Sequence, residues 1–135
     1  MESSQLNPMK HAPTIAAVLL GLLFIMSGVV VLFNLAPMPE IPAGTPAAHF
    51  FVAFGPTGYL TFVKILEVLG GLLVIIPRTR NLGLLVLGPI IVNILAFHTF
   101  ITKGEGLFSP MLIVICLLAA YLLWCGRRAF AGLLN

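Results

Sequence analysis

The sequence predicts an all-α membrane protein: a four-transmembrane-helix bundle with a short interfacial helix between helices 1 and 2 and both termini cytoplasmic. Three observations lead there. Of 135 residues, 60% are hydrophobic and only 8% charged, whereas a soluble domain carries about 25% charged residues. A chain this short cannot hide so much apolar surface from water, so lipid must be its solvent. Four apolar stretches approach the length of about 20 residues that a helix needs to cross a bilayer core. The basic residues fall at one end of each stretch.

The first stretch, TIAAVLLGLLFIMSGVVVLFNLA, covers residues 14–36. It exceeds the 7–15 residues of a signal-peptide core, and no small-residue cleavage site closes it, so it reads as a retained helix. The second, TGYLTFVKILEVLGGLLVIIP, covers 57–77, the third covers 82–101, and the fourth, FSPMLIVICLLAAYLLWC, covers 108–125. A single transmembrane domain over 14–128 is expected, flanked by cytoplasmic tails at 1–13 and 129–135. Lys10 precedes the first stretch, Arg78 and Arg80 join the second to the third, and Arg127 and Arg128 follow the fourth, leaving only Lys103 opposite. The positive-inside rule then places both termini in the cytoplasm, as expected for a multi-pass protein of the cell inner membrane.

The connection between the first two stretches is rich in proline, at positions 37, 39, 42 and 46. Proline stiffens a loop and removes backbone donors. Thr45 suits an N-cap and Pro46 a first helical position, so PAAHFFVAF (46–54) reads as a short helix ended by Gly55-Pro56. It rises only about 13 Å and must lie at the interface or tuck into the bundle mouth.

Basic runs able to track a phosphate backbone are absent, which excludes nucleic acid as an expected partner. Cys116 and Cys125 are nine apart and form neither a CxxC pair nor a zinc spacing. They read as small packing residues, and no metal site or catalytic residue is expected.

The polar residues inside the apolar stretches carry the functional question. Lys64 and Glu67 lie about 10 and 15 Å below the outer end of the second stretch and leave the helix within about 60° of each other. A charge at the bilayer centre costs roughly 2.5–3.5 kcal/mol on the insertion scale, so intramembrane ionisable groups are functional candidates by default. On the third stretch Asn93 comes about 12 Å below the outer end, four residues after Pro89 on the same face. His98 lies nearer the surface, with Asn34 and His49 also toward the mouth. Lys64, Glu67, Asn93 and His98 are therefore the expected ligand-binding set. The competing reading is an interhelical polar clamp, at about 0.6 kcal/mol per hydrogen bond. Gly21, Ser27, Gly28, Gly70 and Gly71 are expected to let helices approach closely.

The blocks GLLFIMSG, TGYLTFVKILEVLGGLLVIIPR and GPIIVNILAFHTF, together with PMP in the loop, resemble the DoxX family of small membrane proteins over about residues 15–128. K-x-x-E-x-x-G-G followed by P-I-I-V-N-I-x-x-F-H carries the likeness, and Lys64, Glu67, Asn93, Phe97 and His98 fall within those blocks. The resemblance implies a four-helix integral membrane protein associated with quinone-linked redox systems, with no settled catalytic role to transfer. An accessory subunit of a membrane redox assembly is the resulting expectation. Glu67, Asn93 and His98 would bond quinone oxygens, and Lys64 would stabilise a reduced anion. No haem, flavin or iron–sulfur motif is present, so independent catalysis is not expected and a redox enzyme or other membrane protein is the expected partner. A non-catalytic scaffold or assembly factor is the alternative, and a proton or small-solute transporter the third. Oligomerisation is compatible with each.

Overall fold

The computed structural model describes residues 10–134, so the expected tail over 1–13 lies mostly outside the described residues. Within them the chain is all-helical: α1 (Ala12–Leu32), α2 (Pro46–Phe54), α3 (Tyr59–Ile75), α4 (Arg80–Ala96), α5 (Pro110–Cys125) and α6 (Arg127–Ala131), with shorter turns between them. Two helices are long and apolar enough to cross a membrane: α1, and the continuous run Pro77–Ile101 that contains α4. The number rises to four if α2 with α3, bent by 85°, and α5 with the following Arg127–Leu134 segment, bent by 72°, each count as one span.

Each boundary has a local cause. α1 ends at Leu32, four residues before the expected Ala36, because Asn34 takes a left-handed backbone (φ 52°) that caps the helix. The amide of Leu35 then bonds back to the Val30 carbonyl at 2.9 Å. α2 has the expected bounds: Thr45 Oγ1 accepts from the Ala48 amide (3.2 Å) and Pro46 opens the helix. Gly58, at φ 86°, supplies the turn into α3.

At the other end of α3, two side chains take up its last carbonyls. Thr79 Oγ1 donates to Leu73 O (2.8 Å) and Arg80 Nε to Val74 O (3.1 Å), as cationic and hydroxyl groups at a helix C-terminus do. α4 carries Pro89 in its interior and passes into a π-helical turn at Phe97–Ile101. Beyond α5 the chain continues in a short helix that reaches into the expected tail over 129–135. Gly126 breaks the helix, and α6 turns away, held by Phe130 packed against the core.

α1 and α3 pack antiparallel and nearly backbone to backbone. A methyl placed on Gly71 would stand 2.7 Å from the Gly21 carbonyl oxygen, and one on Gly28 would stand 2.9 Å from the Lys64 carbonyl oxygen. α4 meets α3 in the same way, with a methyl on Gly83 falling 2.9 Å from Gly70 O. Small residues at such crossings replace the hydrophobic effect, absent in lipid, with close dispersion contact. The core within is Ala17, Leu20, Val74, Leu87 and Leu122. The opposite surface is strongly apolar, with Phe33, Phe100, Phe108, Met111 and Leu117 all exposed. α2 lies across one end, its Phe50 and Phe51 rings 5.0 and 5.7 Å from Phe97 in edge-on contact.

Filling the tight crossings should be costly. Gly71→Ala is expected to lower stability by about 1–3 kcal/mol through overpacking. Gly88→Ala, where the added methyl meets nothing within 4 Å, should be neutral or stabilising by up to about 1 kcal/mol. Unfolding in detergent followed by circular dichroism separates the two. Equal behaviour would show that α1 and α3 do not approach this closely.

Candidate functional site

Glu67 is the buried charged residue among those described, 3% exposed. It faces the seam between α3 and α1, and its carboxylate is satisfied from both. Lys64 Nζ, one turn earlier on α3, stands 3.1 Å from Oε2 and 3.4 Å from Oε1. Ser27 of α1 donates to Oε2 at 3.3 Å and accepts from Lys64 Nζ at 3.2 Å. A closed triangle of ammonium, hydroxyl and carboxylate results, with α1 supplying one corner and α3 two.

The chain builds this triangle through depth and small size. Ser27 precedes the end of α1 by five residues, and Lys64 follows the start of α3 by five, so in antiparallel helices both lie about 7–8 Å in from the same side. Gly28, beside Ser27, brings the α1 backbone against the Lys64 carbonyl, close enough for a hydroxyl as short as serine's to bridge. The Lys64 side chain remains 21% exposed while that of Glu67 is at 4%.

Only two of the four expected site residues come together. Asn93 is exposed on α4, and its side-chain amide donates to the Pro89 carbonyl at 3.1 Å, four residues back on its own helix. That local bond takes the amide away from the Lys64–Glu67 pair. His98 belongs to the π-helical turn, where its Nδ1 bonds to Ile94 O at 2.8 Å. A carbonyl only accepts, so Nδ1 carries the proton, and Nε2 is on the Gly106 side, where a methyl on that glycine would stand 3.3 Å away. The carbonyl of His98 in turn accepts from the Gly104 amide (2.6 Å) and from Thr102 Oγ1 (3.0 Å). His98 thus holds the α4–α5 connection, Phe97 anchors α2, and Asn34 caps α1. His49 is exposed on α2.

Ser27 is the residue that the expected site lacked. Its signal was available: it shares the depth of Lys64 and adjoins a glycine suited to close approach.

No protein-family model matches the chain, and no solved structure matches it. The chain is 36% identical over 101 residues to the uncharacterized protein YwoB of Bacillus subtilis (strain 168), a match that covers 74% of this chain and 64% of that protein. The aligned region therefore spans less than two thirds of the relative.

The triangle makes an asymmetric prediction. Lys64→Met leaves a buried carboxylate without its counter-charge and should cost about 3–5 kcal/mol. Glu67→Met leaves the more exposed ammonium free to reach outward and should cost less. Replacing both by methionine should recover much of the loss, and Ser27→Ala should cost about 0.6 kcal/mol. A double-mutant cycle on detergent unfolding measures all four, and additive effects at Lys64 and Glu67 would rule out the coupling.

Proposed function

We propose that this chain is a four-helix integral membrane protein of DoxX type, serving as a non-catalytic accessory subunit of a larger membrane redox assembly. In this reading α1, α3, α4 and α5 all cross the bilayer. α3 has 17 residues and α5 has 16, about 24–26 Å of helix that adjoining residues extend across a core of about 30 Å. Antiparallel packing gathers Lys10, Arg78, Arg80, Arg127 and Arg128 at one end, against Lys103 at the other. That bias supports cytoplasmic termini and the inner membrane as the location.

One observation carries the accessory role. The Lys64 ammonium donates to both Glu67 oxygens and to Ser27 from within the chain, yet its side chain stays 21% exposed at the α1–α3 seam. A charged side chain that faces hydrocarbon is costly, and such groups ordinarily face a bundle interior. A partner helix packed over this spot removes that exposure. Ser27, itself exposed, widens the polar spot.

The residues fit a quinone cradle poorly. Glu67 is held by Lys64 and Ser27, while Asn93 and His98 are tied to carbonyls of their own helix. The accessory role is therefore proposed without a quinone held by this chain, and electron carriers belong to the partner.

Gentle extraction from native membranes followed by native mass spectrometry tests the reading. Wild type should retain a polypeptide partner with flavin, haem or iron–sulfur absorbance, and the Lys64→Met, Glu67→Met double variant, still folded, should lose about nine tenths of it, the factor expected for roughly 1.4 kcal/mol. A partner without any redox chromophore would point instead to a scaffold. Equal retention by both proteins would remove the α1–α3 seam as the contact.

A further inference from the structure

α4 and α5 touch far less closely than α1 and α3, and a groove of about 270 Å³ runs between them. Its walls include Leu84, Gly88 and Leu95 on α4, and Cys116, Ala120 and Leu123 on α5. Along α4 it extends about 16 Å. The lining is almost wholly apolar, and its width comes from Gly88, where an added methyl would meet nothing within 4 Å.

What stands at the groove's end distinguishes it from a packing defect. Arg80 is four residues before Leu84, and Arg127 is four after Leu123. Residues spaced by four share a helix face, so Arg80 continues the α4 wall, whereas Arg127 begins α6 just past the break at Gly126 that ends the α5 wall. The Asn81 amide oxygen would lie 2.7 Å from a methyl on Gly126, and this close contact joins the start of α4 to the end of α5 between the two arginines. Arg127 is held there, its guanidinium 4.1 Å from the Trp124 ring centre and bonded to Trp124 O at 2.8 Å. Arg80 gives its Nε to Val74 O, while its Nη2 is buried without a hydrogen-bond partner. Among the described residues no carboxylate lies within salt-bridge range of Arg78, Arg80, Arg127 or Arg128.

We propose that this groove binds one anionic glycerophospholipid, with an acyl chain between α4 and α5 and the phosphate at Arg80 and Arg127. Charge complementarity selects the headgroup, since four arginines without acidic partners stand at this end. The apolar length selects the chain. A tryptophan beside the arginines marks the level of the headgroups, where its ring is favoured. Because the groove opens sideways, the lipid enters from the surrounding leaflet without any helix moving. The proposal rests on α4 and α5 crossing the membrane, and on no part of the accessory role.

The test uses the full chain in bilayer discs of equal phosphatidylglycerol and phosphatidylcholine, followed by release into native mass spectrometry. Incorporation with unchanged helicity checks the membrane reading separately. Wild type should retain one phosphatidylglycerol in preference to phosphatidylcholine. Arg80→Gln and Arg127→Gln should each weaken that preference about fivefold, the scale expected per basic group near an anionic surface. Gly88→Leu, which projects into the open groove, should abolish the retained lipid with the fold intact. An adduct insensitive to Gly88→Leu, or displaced equally by glycerol phosphate without acyl chains, would reduce the site to phosphate binding and overturn the proposal. A lipid-free dimer would overturn it as well, by assigning the groove to a second copy of the chain.

Discussion

A carboxylate buried among apolar helices is the constraint around which the rest of this molecule is arranged. Glu67 cannot remain charged in that setting without donors, and lipid provides none. Lys64 supplies the counter-charge from the same helix, but an intrahelical pair alone would leave α3 indifferent to its neighbours. Ser27 changes that, because one hydroxyl accepts from the ammonium and donates to the carboxylate, so the pair is complete only when α1 is in place. The hydroxyl reaches only because Gly28 and Gly71 let the two backbones nearly touch. Register, depth and spacing of α1 against α3 are thus tied to one polar triangle.

That arrangement divides the protein into a tight half and a loose one. α1, α3 and the facing side of α4 are joined by glycine crossings and by carbonyl caps from Thr79 and Arg80. Between α4 and α5 no such crossing exists, and Gly88 opens space instead of closing it. The charges divide along another direction. Lys10 and four arginines gather at one end, while the aromatic rings of α2 and Phe97 close the other. The polar triangle belongs to the aromatic half, where Lys64 and Glu67 balance one another.

Much of this was legible in the sequence, for identifiable reasons. Apolar length and the placement of Arg78, Arg80, Arg127 and Arg128 indicate the helices, and Thr45-Pro46 with Gly55-Pro56 defines α2 at both ends. The three-residue spacing puts Lys64 and Glu67 on one face, but lysine before glutamate is the less favoured intrahelical order, so the pair itself stays open. Other features depended on choices that a sequence leaves open. Asn93 has the depth to reach Glu67, but it also has the Pro89 carbonyl on its own helix, and the local bond is the one formed. His98 falls where the helix widens into a π turn, so its ring nitrogen serves the chain itself. Asn34 can extend a helix or end it in the left-handed region, and four nearby prolines favour ending it. α6 and the α4–α5 groove come from tertiary packing of Phe130 and from the absence of a side chain at Gly88, neither of which leaves a periodic signal.

The central claim is that Glu67 is an ionised carboxylate paired with Lys64 at the α1 seam within a lipid bilayer. Solid-state NMR on the protein in bilayers, with ¹⁵N at the Lys64 ammonium and ¹³C at the Glu67 carboxyl carbon, addresses it directly. Strong dephasing of the carboxyl signal by the ammonium nitrogen is expected, at the chemical shift of an ionised acid, with the signal moving in Ser27→Ala. A carboxyl resonance at the protonated position with no dephasing would contradict the ion pair, and with it the link between α1 and α3.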